Sequence, residues 1–310
     1  MRQCLVTGGA GFIGSHLVEH LVNKGWRVRV LDNLATGKAS NLAPFASKID
    51  FIQGNINDST VLRPAIAGCE VVFHLAALPS VARSLVDPMT THDVCATGTL
   101  SVLDAARQTG VRRVIYAASS SAYGGTPGSL RRETDPLAPL SPYASSKLAG
   151  EMYCQSFTTV YGLETVRVRF FNVFGPRQDA RSPYTGVIAL FIAGMLEGNC
   201  PNVQGDGLQS RDFTYVDNAV QALTRAADAA NAIGKVYNIG NCETTTILQL
   251  VAHLNTILAT KLEPIHGPAR AGDVRHSQAD IALARQDLGY EPAVTFLEGL
   301  RRTVASLRAS

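Results

Sequence analysis

Hydrophobic positions along most of the chain fall into short β-branched runs that are separated by longer amphipathic stretches. The short runs predict strands over 4–7, 28–31, 49–53, 71–75, 111–117, 165–170 and 236–239. The amphipathic stretches predict helices over 11–23, 89–108, 142–161, 187–197, 216–230, 247–258, 280–288 and 295–307. Strands that alternate regularly with helices predict an α/β fold with a doubly wound parallel sheet and helices on both of its faces.

The amino-acid composition changes after residue 171, since the segment 172–212 is rich in Gly, Pro, Asn and Gln. A polar, turn-rich insertion of this kind is typical of a substrate-binding lobe. We therefore assign 1–171 and about 211–245 to a sheet domain, and about 172–210 and 246–310 to a smaller C-terminal lobe. The segments alternate along the chain, so we expect the two parts to be intertwined.

Composition excludes several classes of partner. The net charge of +3 and the absence of a long basic run argue against a nucleic-acid surface. No apolar stretch is long enough for a membrane span, and residues 1–7 lead directly into a strand, so we expect a cytoplasmic protein without a membrane contact. The six cysteines and seven histidines show no ligand spacing, which predicts reduced thiols and no metal site.

A glycine-rich turn, T-G-G-A-G-F-I-G at 7–14, joins the first strand to the first helix. Gly8 permits the tight turn, Gly11 lets a pyrophosphate approach the backbone, and Gly14 lets the helix pack closely on the sheet. The free N–H groups at the start of the helix attract phosphates. Asp32 ends the second strand and would accept hydrogen bonds from the adenosine ribose, which favours NAD over NADP. We therefore predict that the sheet domain is an NAD-binding Rossmann domain.

A tyrosine and a lysine share one face of the helix predicted over 142–161. Tyr143 and Lys147 are four residues apart in S-P-Y-A-S-S-K. An ammonium group near a phenol lowers the phenol pKa from its usual value of about 10, so Tyr143 is predicted to act as a base. The same lysine could bind the nicotinamide ribose. The serines Ser119, Ser120 and Ser121 follow the fifth strand, at the sheet edge where ligands of this fold bind.

Together these residues resemble the extended short-chain dehydrogenase/reductase family, and within it the UDP-hexose 4-epimerases, especially the branch that acts on N-acetylated sugars. The resemblance covers essentially the whole chain, in order. It is carried by the glycine turn, by S-P-Y-A-S-S-K, and by H-L-A-A at 74–77, S-S-S-A-Y-G at 119–124, R-F-F-N-V-F-G-P-R at 169–177, S-R-D-F at 210–213 and R-A-G-D-V-R-H-S at 270–277.

The resemblance implies a reversible redox reaction at C4 of the sugar. Tyr143 would take the proton of the C4 hydroxyl while NAD removes the C4 hydride, and the resulting 4-keto sugar would rotate before the hydride returns. Ser119 matches the family's catalytic serine or threonine and would hydrogen-bond the C4 oxygen, with Ser120 and Ser121 lining the sugar pocket. Further residues implied to hold NAD are Phe12, Ile13, Asn33, Asn55, Ile56, Leu75, Ala76 and Ala77.

The resemblance also implies how the UDP-sugar is bound. Asn172 would touch the pyrophosphate, Arg211 and Arg270 would clamp it, and Asp273 would contact the uridine ribose. Ser277 stands where glucose-restricted epimerases have a bulky tyrosine, so the pocket is expected to admit a 2-acetamido group. The expected substrates are UDP-GlcNAc and UDP-GalNAc, together with UDP-Glc and UDP-Gal. A homodimer is implied, formed by a four-helix bundle from helices at about 89–108 and 142–161.

Two alternatives stay open at this stage. One is another NAD-dependent nucleotide-sugar enzyme, a UDP-glucuronate decarboxylase or epimerase or a dehydratase, although related dehydratases carry Asp-Glu where this chain has Ser120 and Ser121. The other is a catalytically silent protein that binds NAD and a UDP-sugar, against which Tyr143, Lys147 and Ser119 speak. Two departures from the family pattern are Cys95, in place of an asparagine, and Asn55, in place of an aspartate.

Overall fold

The computed structural model describes residues 2–180, 182, 185–269 and 274–309. One parallel sheet contains seven strands, namely β1 (Gln3–Thr7), β2 (Arg27–Asp32), β3 (Ile49–Gln53), β4 (Val71–His74), β5 (Arg113–Ser119), β7 (Glu164–Phe170) and β12 (Val236–Ile239). Their spatial order is β3-β2-β1-β4-β5-β7-β12. Each of the seven strands predicted from the hydrophobic pattern is present in this sheet, so the doubly wound prediction is confirmed.

Helices cover both faces of the sheet, and each face has its own apolar core. The face that carries Cys4 and Val6 packs against α1 (Phe12–Asn23), α8 (Val216–Ala226) and α10 (Ala282–Leu288). The face that carries Leu5 packs against α2 (Ser59–Ile66), α5 (Gly98–Gln108) and α6 (Pro142–Tyr161). Burial on both faces explains why these strands are nearly continuous apolar runs in the sequence.

The predicted helix over 89–108 is one rod with an irregular turn inside it. α4 (Pro88–His92) leads into a π-helical turn, Asp93–Thr97, and then into α5. A short α3 (Val81–Val86) precedes α4. The hydrophobic pattern did not predict α2 or α3, because eight and six residues are too few to show a helical period. α8 ends at Ala226 instead of 230, where the Arg113 guanidinium donates to the carbonyl groups of Ala226 and Ala229.

A third apolar core contains a cluster of aromatic rings. α7 (Val187–Leu196), α9 (Ile247–Leu258) and α11 (Phe296–Arg308) surround Phe174 and Phe213. Further strands are short, and they form the pairs β8 (Val173–Phe174) with β11 (Thr214–Tyr215) and β9 (Asn202–Gln204) with β14 (Ile265–Gly267). A third small sheet has β13 (Thr245–Thr246), β10 (Ser210–Arg211), β15 (His276–Ala279) and β6 (Leu130–Arg131) side by side. β6 comes from the first half of the chain, so this sheet ties distant segments together.

A buried ion pair joins α6 to the central sheet. The Arg169 guanidinium on β7 donates to the Glu151 carboxylate on α6 at 3.0 and 2.8 Å, and these side chains are 3% and 0% exposed. Arg169 also donates to the Tyr123 hydroxyl at 2.8 Å, and that hydroxyl donates to Asn238 Oδ1 at 2.7 Å. The helix that carries Tyr143 is thereby connected to the turn that follows Ser119.

No helix within the described ranges is both long enough and apolar enough to cross a bilayer. Across the same ranges, no group of three or more His, Cys, Asp or Glu side chains is arranged to hold a metal ion. All six cysteines are free thiols, four of them buried.

Replacing Glu151 with alanine is expected to lower the free energy of unfolding by about 3–5 kcal/mol, because the Arg169 guanidinium would be left buried without its counter-charge. Equilibrium urea denaturation measures this loss. Glu298→Ala is the matched control, since it removes a surface pair with Arg302 and should lower the free energy of unfolding by less than about 1 kcal/mol. Equal losses in the two variants would contradict the structural role assigned to the buried pair.

Candidate active site

The glycine turn between β1 and α1 is a close backbone crossing that tolerates no side chain at two positions. Gly8 has φ of 71°, and a Cβ there would lie 2.7 Å from the backbone nitrogen of Ala76 at the end of β4. A Cβ on Gly14 would overlap the carbonyl oxygen of Gly8. The turn therefore keeps α1 close to the sheet, as its spacing predicts.

The start of α1 is shaped to receive a phosphate. Gly11 is the N-cap residue, and no side chain caps the helix, so the N–H groups of the first turn, which includes Phe12 and Ile13, lack a capping partner. The buried Asp32 carboxylate accepts from the backbone N–H groups of Ala10 at 2.9 Å and Leu34 at 2.8 Å. Asp32 thus holds the glycine turn against the end of β2. The turn, the uncapped helix and Asp32 fit a dinucleotide.

The remaining residues predicted to hold the cofactor lie along the same edge of the sheet. Asn33 and Asn55 are exposed, and each side chain accepts from a backbone N–H two residues further on, at 3.0 Å. Ile56 is buried against the helix at Gly98, and the backbone of Leu75 is bonded to Thr7. Leu75, Ala76 and Ala77 are partly buried directly after β4.

Tyr143 and Lys147 lie in the first two turns of the helix α6. The Ser141 hydroxyl caps its start by accepting from the Ala144 N–H at 3.2 Å, with Pro142 in the first turn. Lys147 is buried, and its Nζ lies 4.2 Å from the centroid of the Tyr116 ring. The Tyr116 hydroxyl donates to the Lys147 carbonyl oxygen at 3.0 Å, which fixes this turn of the helix.

The ionisation of Tyr143 differs from the expectation drawn from the sequence. Burial raises the pKa of the Tyr143 phenol, the nearby Cys95 sulfur adds to the effect, and Ser119 opposes it. Burial also lowers the pKa of Lys147. The prediction that Lys147 lowers the pKa of Tyr143 is therefore wrong for the protein alone, because burial raises this pKa and Lys147 is not among the groups that shift it.

Ser119 is held at the carboxyl end of β5, within reach of Tyr143. Its Oγ accepts from the Ser121 N–H at 3.2 Å and lies 2.8 Å from the Ser121 Oγ. It thereby caps the short 3-10 turn Ser120–Tyr123. The structure brings Ser119 together with Tyr143, which lies far from it in the sequence.

A buried chain of hydroxyl and imidazole groups connects the cofactor edge to the helix behind Tyr143. His74 Nδ1 lies 2.7 Å from the Thr7 hydroxyl, and its Nε2 lies 3.0 Å from the Thr99 hydroxyl. Burial lowers the pKa of His74 to about 3, so the imidazole is neutral. Because Thr99 Oγ1 already donates to the Cys95 carbonyl at 2.7 Å, Nε2 must be the donor to Thr99. Cys95 lies fully buried in the π-helical turn between α4 and α5.

Asp212 organises the predicted substrate residues, and sequence reasoning missed it. The backbone N–H of this buried residue donates to the Ser277 carbonyl at 2.9 Å, and its own carbonyl accepts from the Asn172 amide at 2.9 Å. Arg211, its neighbour, lies directly opposite Ser277 in the β10–β15 pair. The only signal in the sequence was the aspartate of S-R-D-F beside Arg211.

The Asp212 carboxylate is surrounded by backbone donors. It accepts from the N–H groups of Asn241 at 2.7 Å, Cys242 at 3.1 Å and Ala279 at 3.1 Å. Burial raises its pKa to about 6, while these three bonds act in the opposite direction. Two other predicted substrate residues, Arg270 and Asp273, lie outside the described residues.

Comparison with known proteins identifies the family. The family model of the NAD-dependent epimerase/dehydratase family matches residues 4–240. A UDP-glucose 4-epimerase of Mycolicibacterium smegmatis is 38% identical over 99% of this chain and 98% of its own length. A UDP-N-acetyl-alpha-D-glucosaminuronate decarboxylase of Bacillus cytotoxicus is 32% identical over 99% of this chain and 98% of its own length.

A solved structure extends the likeness to three dimensions. The UDP-N-acetylglucosamine 4-epimerase of Methanobrevibacter ruminantium, in complex with UDP-N-acetylmuramic acid, superimposes with a TM-score of 0.95, at 36% identity and over 99% of this chain and 98% of that chain. The chain belongs to the NAD-dependent epimerase/dehydratase family, and the Rossmann sheet and the NAD cofactor predicted from the sequence are confirmed.

Replacing Gly11 with alanine is expected to weaken NAD binding at least about tenfold, because a methyl group would stand where the pyrophosphate approaches the backbone. Gly11 has φ of −73°, which alanine adopts readily, and its Cβ would lie 3.1 Å from the Gly8 carbonyl oxygen, a tight contact that a small backbone shift relieves, so the variant should fold. Fluorescence titration with NAD measures the dissociation constant. Gly194→Ala in α7, where a Cβ meets only Asn199 at 3.9 Å, is the control. Unchanged affinity in Gly11→Ala would show that the pyrophosphate does not lie against this turn.

Proposed function

We propose that this protein is an NAD-dependent 4-epimerase that interconverts UDP-GlcNAc and UDP-GalNAc, and also UDP-Glc and UDP-Gal, through a transient 4-keto sugar. The observation that carries the proposal is the meeting of Ser119 and Tyr143 at the carboxyl edge of the sheet, the same edge that carries the glycine turn. The UDP-sugar epimerases among the relatives support the same reaction.

In the proposed reaction, Tyr143 removes the proton of the sugar C4 hydroxyl, and Ser119 hydrogen-bonds the C4 oxygen and relays that proton. Bound NAD supplies the hydride acceptor and a positive charge. Because burial raises the pKa of Tyr143, the phenol keeps its proton in the protein alone, and deprotonation requires nearby positive charge. The buried Lys147, one helical turn away, is the protein's own source of that charge.

The residues after Ser119 favour epimerisation over elimination. Ser120 and Ser121 follow it, and the Ser121 hydroxyl is engaged by Ser119. Neither can act as the strong acid or base that removal of water from the sugar requires. A decarboxylase is the second candidate, because one relative of this length has that activity. A protein that binds NAD and the UDP-sugar without turnover is the third.

The direct test follows products by proton NMR after incubation with UDP-GlcNAc. Formation of UDP-GalNAc supports the proposal, loss of water or carbon dioxide from a suitable UDP-sugar supports the second candidate, and binding without turnover supports the third.

Tyr143→Phe is expected to lower kcat by about 10²–10⁴-fold, because the base is lost. Tyr153→Phe, on the same helix but 38% exposed, should retain turnover within about twofold.

Ser277→Tyr is expected to suppress turnover of the N-acetylated pair more than turnover of the plain pair. Ser277 is partly buried on β15 opposite Arg211, and a tyrosine would fill the space proposed for the acetamido group. The ratio of kcat/KM for UDP-GlcNAc and UDP-Glc measures the effect, with the plain sugar as an internal control. Equal loss on both sugars would contradict this role of Ser277.

We also propose that two copies associate through the helical rod Pro88–Gln108 and α6. Large apolar side chains are exposed on α3, α4 and α6, namely Val81, Leu85, Val86, Met89, Met152, Tyr153, Val160 and Tyr161. An apolar surface of this kind is typical of a protein interface. The division into domains and the cytoplasmic location stay predictions.

The expected molar mass in sedimentation equilibrium is twice the chain mass of 33.0 kDa. Met89→Asp should shift the protein toward the monomer, because a carboxylate would be buried in the apolar interface. Leu208→Asp, at an exposed position in the smaller lobe, should leave the mass unchanged. A wild-type protein that is monomeric at tens of micromolar would refute the dimer.

A further inference from the structure

A cavity of about 520 Å³ lies beside β6, outside the groups assigned above to NAD and the sugar. Its wall includes the loop from Gly124 to Ser129, Leu140 and the segment from Val274 to His276. Arg131 of β6 also lines it. No acidic side chain is among the described residues that line the cavity.

Arg131 is the unusual member of this wall. It is 2% exposed, and the hydrogen bond of its guanidinium within the described chain runs from Nη1 to the Pro127 carbonyl at 2.9 Å. None of the described carboxylates forms an ion pair with it. A guanidinium has five N–H donors, and burying an unpaired charge is costly.

The other deeply buried arginines of the described chain are satisfied. Arg113 is paired with Glu164 and also bonds two carbonyl groups, and Arg169 is paired with Glu151 and Tyr123. Arg167 bonds three carbonyl groups and the Gln155 amide oxygen. Arg131 has one such partner. Most of the five N–H donors of Arg131, a residue that lines the cavity, therefore have no partner within the described chain.

The rest of the wall suits a negative group. Arg275 and His276 add basic side chains, although Arg275 is already paired with Asp206 at 2.6 Å and His276 Nδ1 lies 2.9 Å from the Ser210 hydroxyl. Ser129 contributes a hydroxyl group to the wall. Gly128, with φ of 95°, has no side chain to cover the backbone there. A planar guanidinium matches the two oxygens of a carboxylate or a phosphate.

We propose that this cavity binds an oxyanion, a carboxylate or phosphate, through the Arg131 guanidinium and the Ser129 hydroxyl. The oxyanion has two chemical sources, a free small anion or an acidic substituent on the sugar nucleotide itself. β6 pairs with β15, which carries Ser277, so an occupied cavity would also steady the strand next to the proposed sugar pocket.

The test uses inorganic phosphate as the probe, with potassium chloride holding the ionic strength constant. Phosphate should raise the Tm of the wild-type protein saturably, and isothermal titration should give a dissociation constant. Arg131→Met should weaken that affinity about ten- to hundredfold, the loss expected for bonds to a charged group. Arg132→Met is the matched control, because Arg132 is exposed and paired with Asp280, and it should bind phosphate like the wild type.

Ser129→Glu covers the case in which Arg131→Met does not fold. Ser129 is exposed, so the variant should fold, and the new carboxylate should occupy the site and remove the response to phosphate. No saturable response in the wild type, or equal weakening in Arg131→Met and Arg132→Met, would overturn the proposal. These readouts do not depend on epimerase activity.

A second arm distinguishes the two sources of the oxyanion. The dissociation constants of UDP-glucuronate and UDP-glucose are measured for the wild type and Arg131→Met. If the variant loses about tenfold or more in affinity for UDP-glucuronate alone, the carboxylate of the sugar is the ligand. If both sugars bind as before while the phosphate response is lost, the ligand is a free anion.

Discussion

The parallel alignment of the seven central strands is the constraint on which the site depends. Because every strand runs in the same direction, all of the strand ends that carry chemistry meet at one edge. Thr7, Asp32, His74 and Ser119 end four of these strands, and each has a hydrogen bond that holds it to a neighbouring segment of that edge. α6 then presents Tyr143 to the same edge, and the buried pair of Glu151 and Arg169 fixes the helix to the sheet.

Hydrogen bonds to Asp212 connect several segments from the second half of the chain. The Asp212 carboxylate accepts from two separate segments, the pair Asn241 and Cys242 and the strand residue Ala279, and its peptide groups bond to Asn172 and Ser277. A single buried carboxylate thereby sets the positions of residues that come from distant parts of the chain. Behind Tyr143, the neutral His74 is bonded to Thr99, and Thr99 is bonded to the carbonyl of Cys95 in the π-helical turn, so these hydrogen bonds also join distant segments.

The sequence predicted the parts of the structure that are governed by local pattern. The seven strands are apolar because both faces are buried, and α6 is bounded by the Ser141 cap and by Gly162 in the left-handed conformation. Contacts between distant residues were beyond such patterns. The strands β6 and β10 have two residues each, too few to show the alternating pattern of a strand. Asp212 acts through partners that are distant in the sequence, such as Ala279. The raised pKa of Tyr143 depends on burial that only the folded chain creates.

In the proposed reaction, the protein moves a proton through Tyr143 and Ser119 while the hydride leaves and returns to the same sugar carbon. The direct test incubates the protein with UDP-GlcNAc deuterated at C4 in ordinary water and examines the product by NMR. We expect UDP-GalNAc that retains deuterium at C4, because the hydride does not exchange with solvent. Product with ordinary hydrogen at C4, or deuterium loss in proportion to turnover, would contradict it.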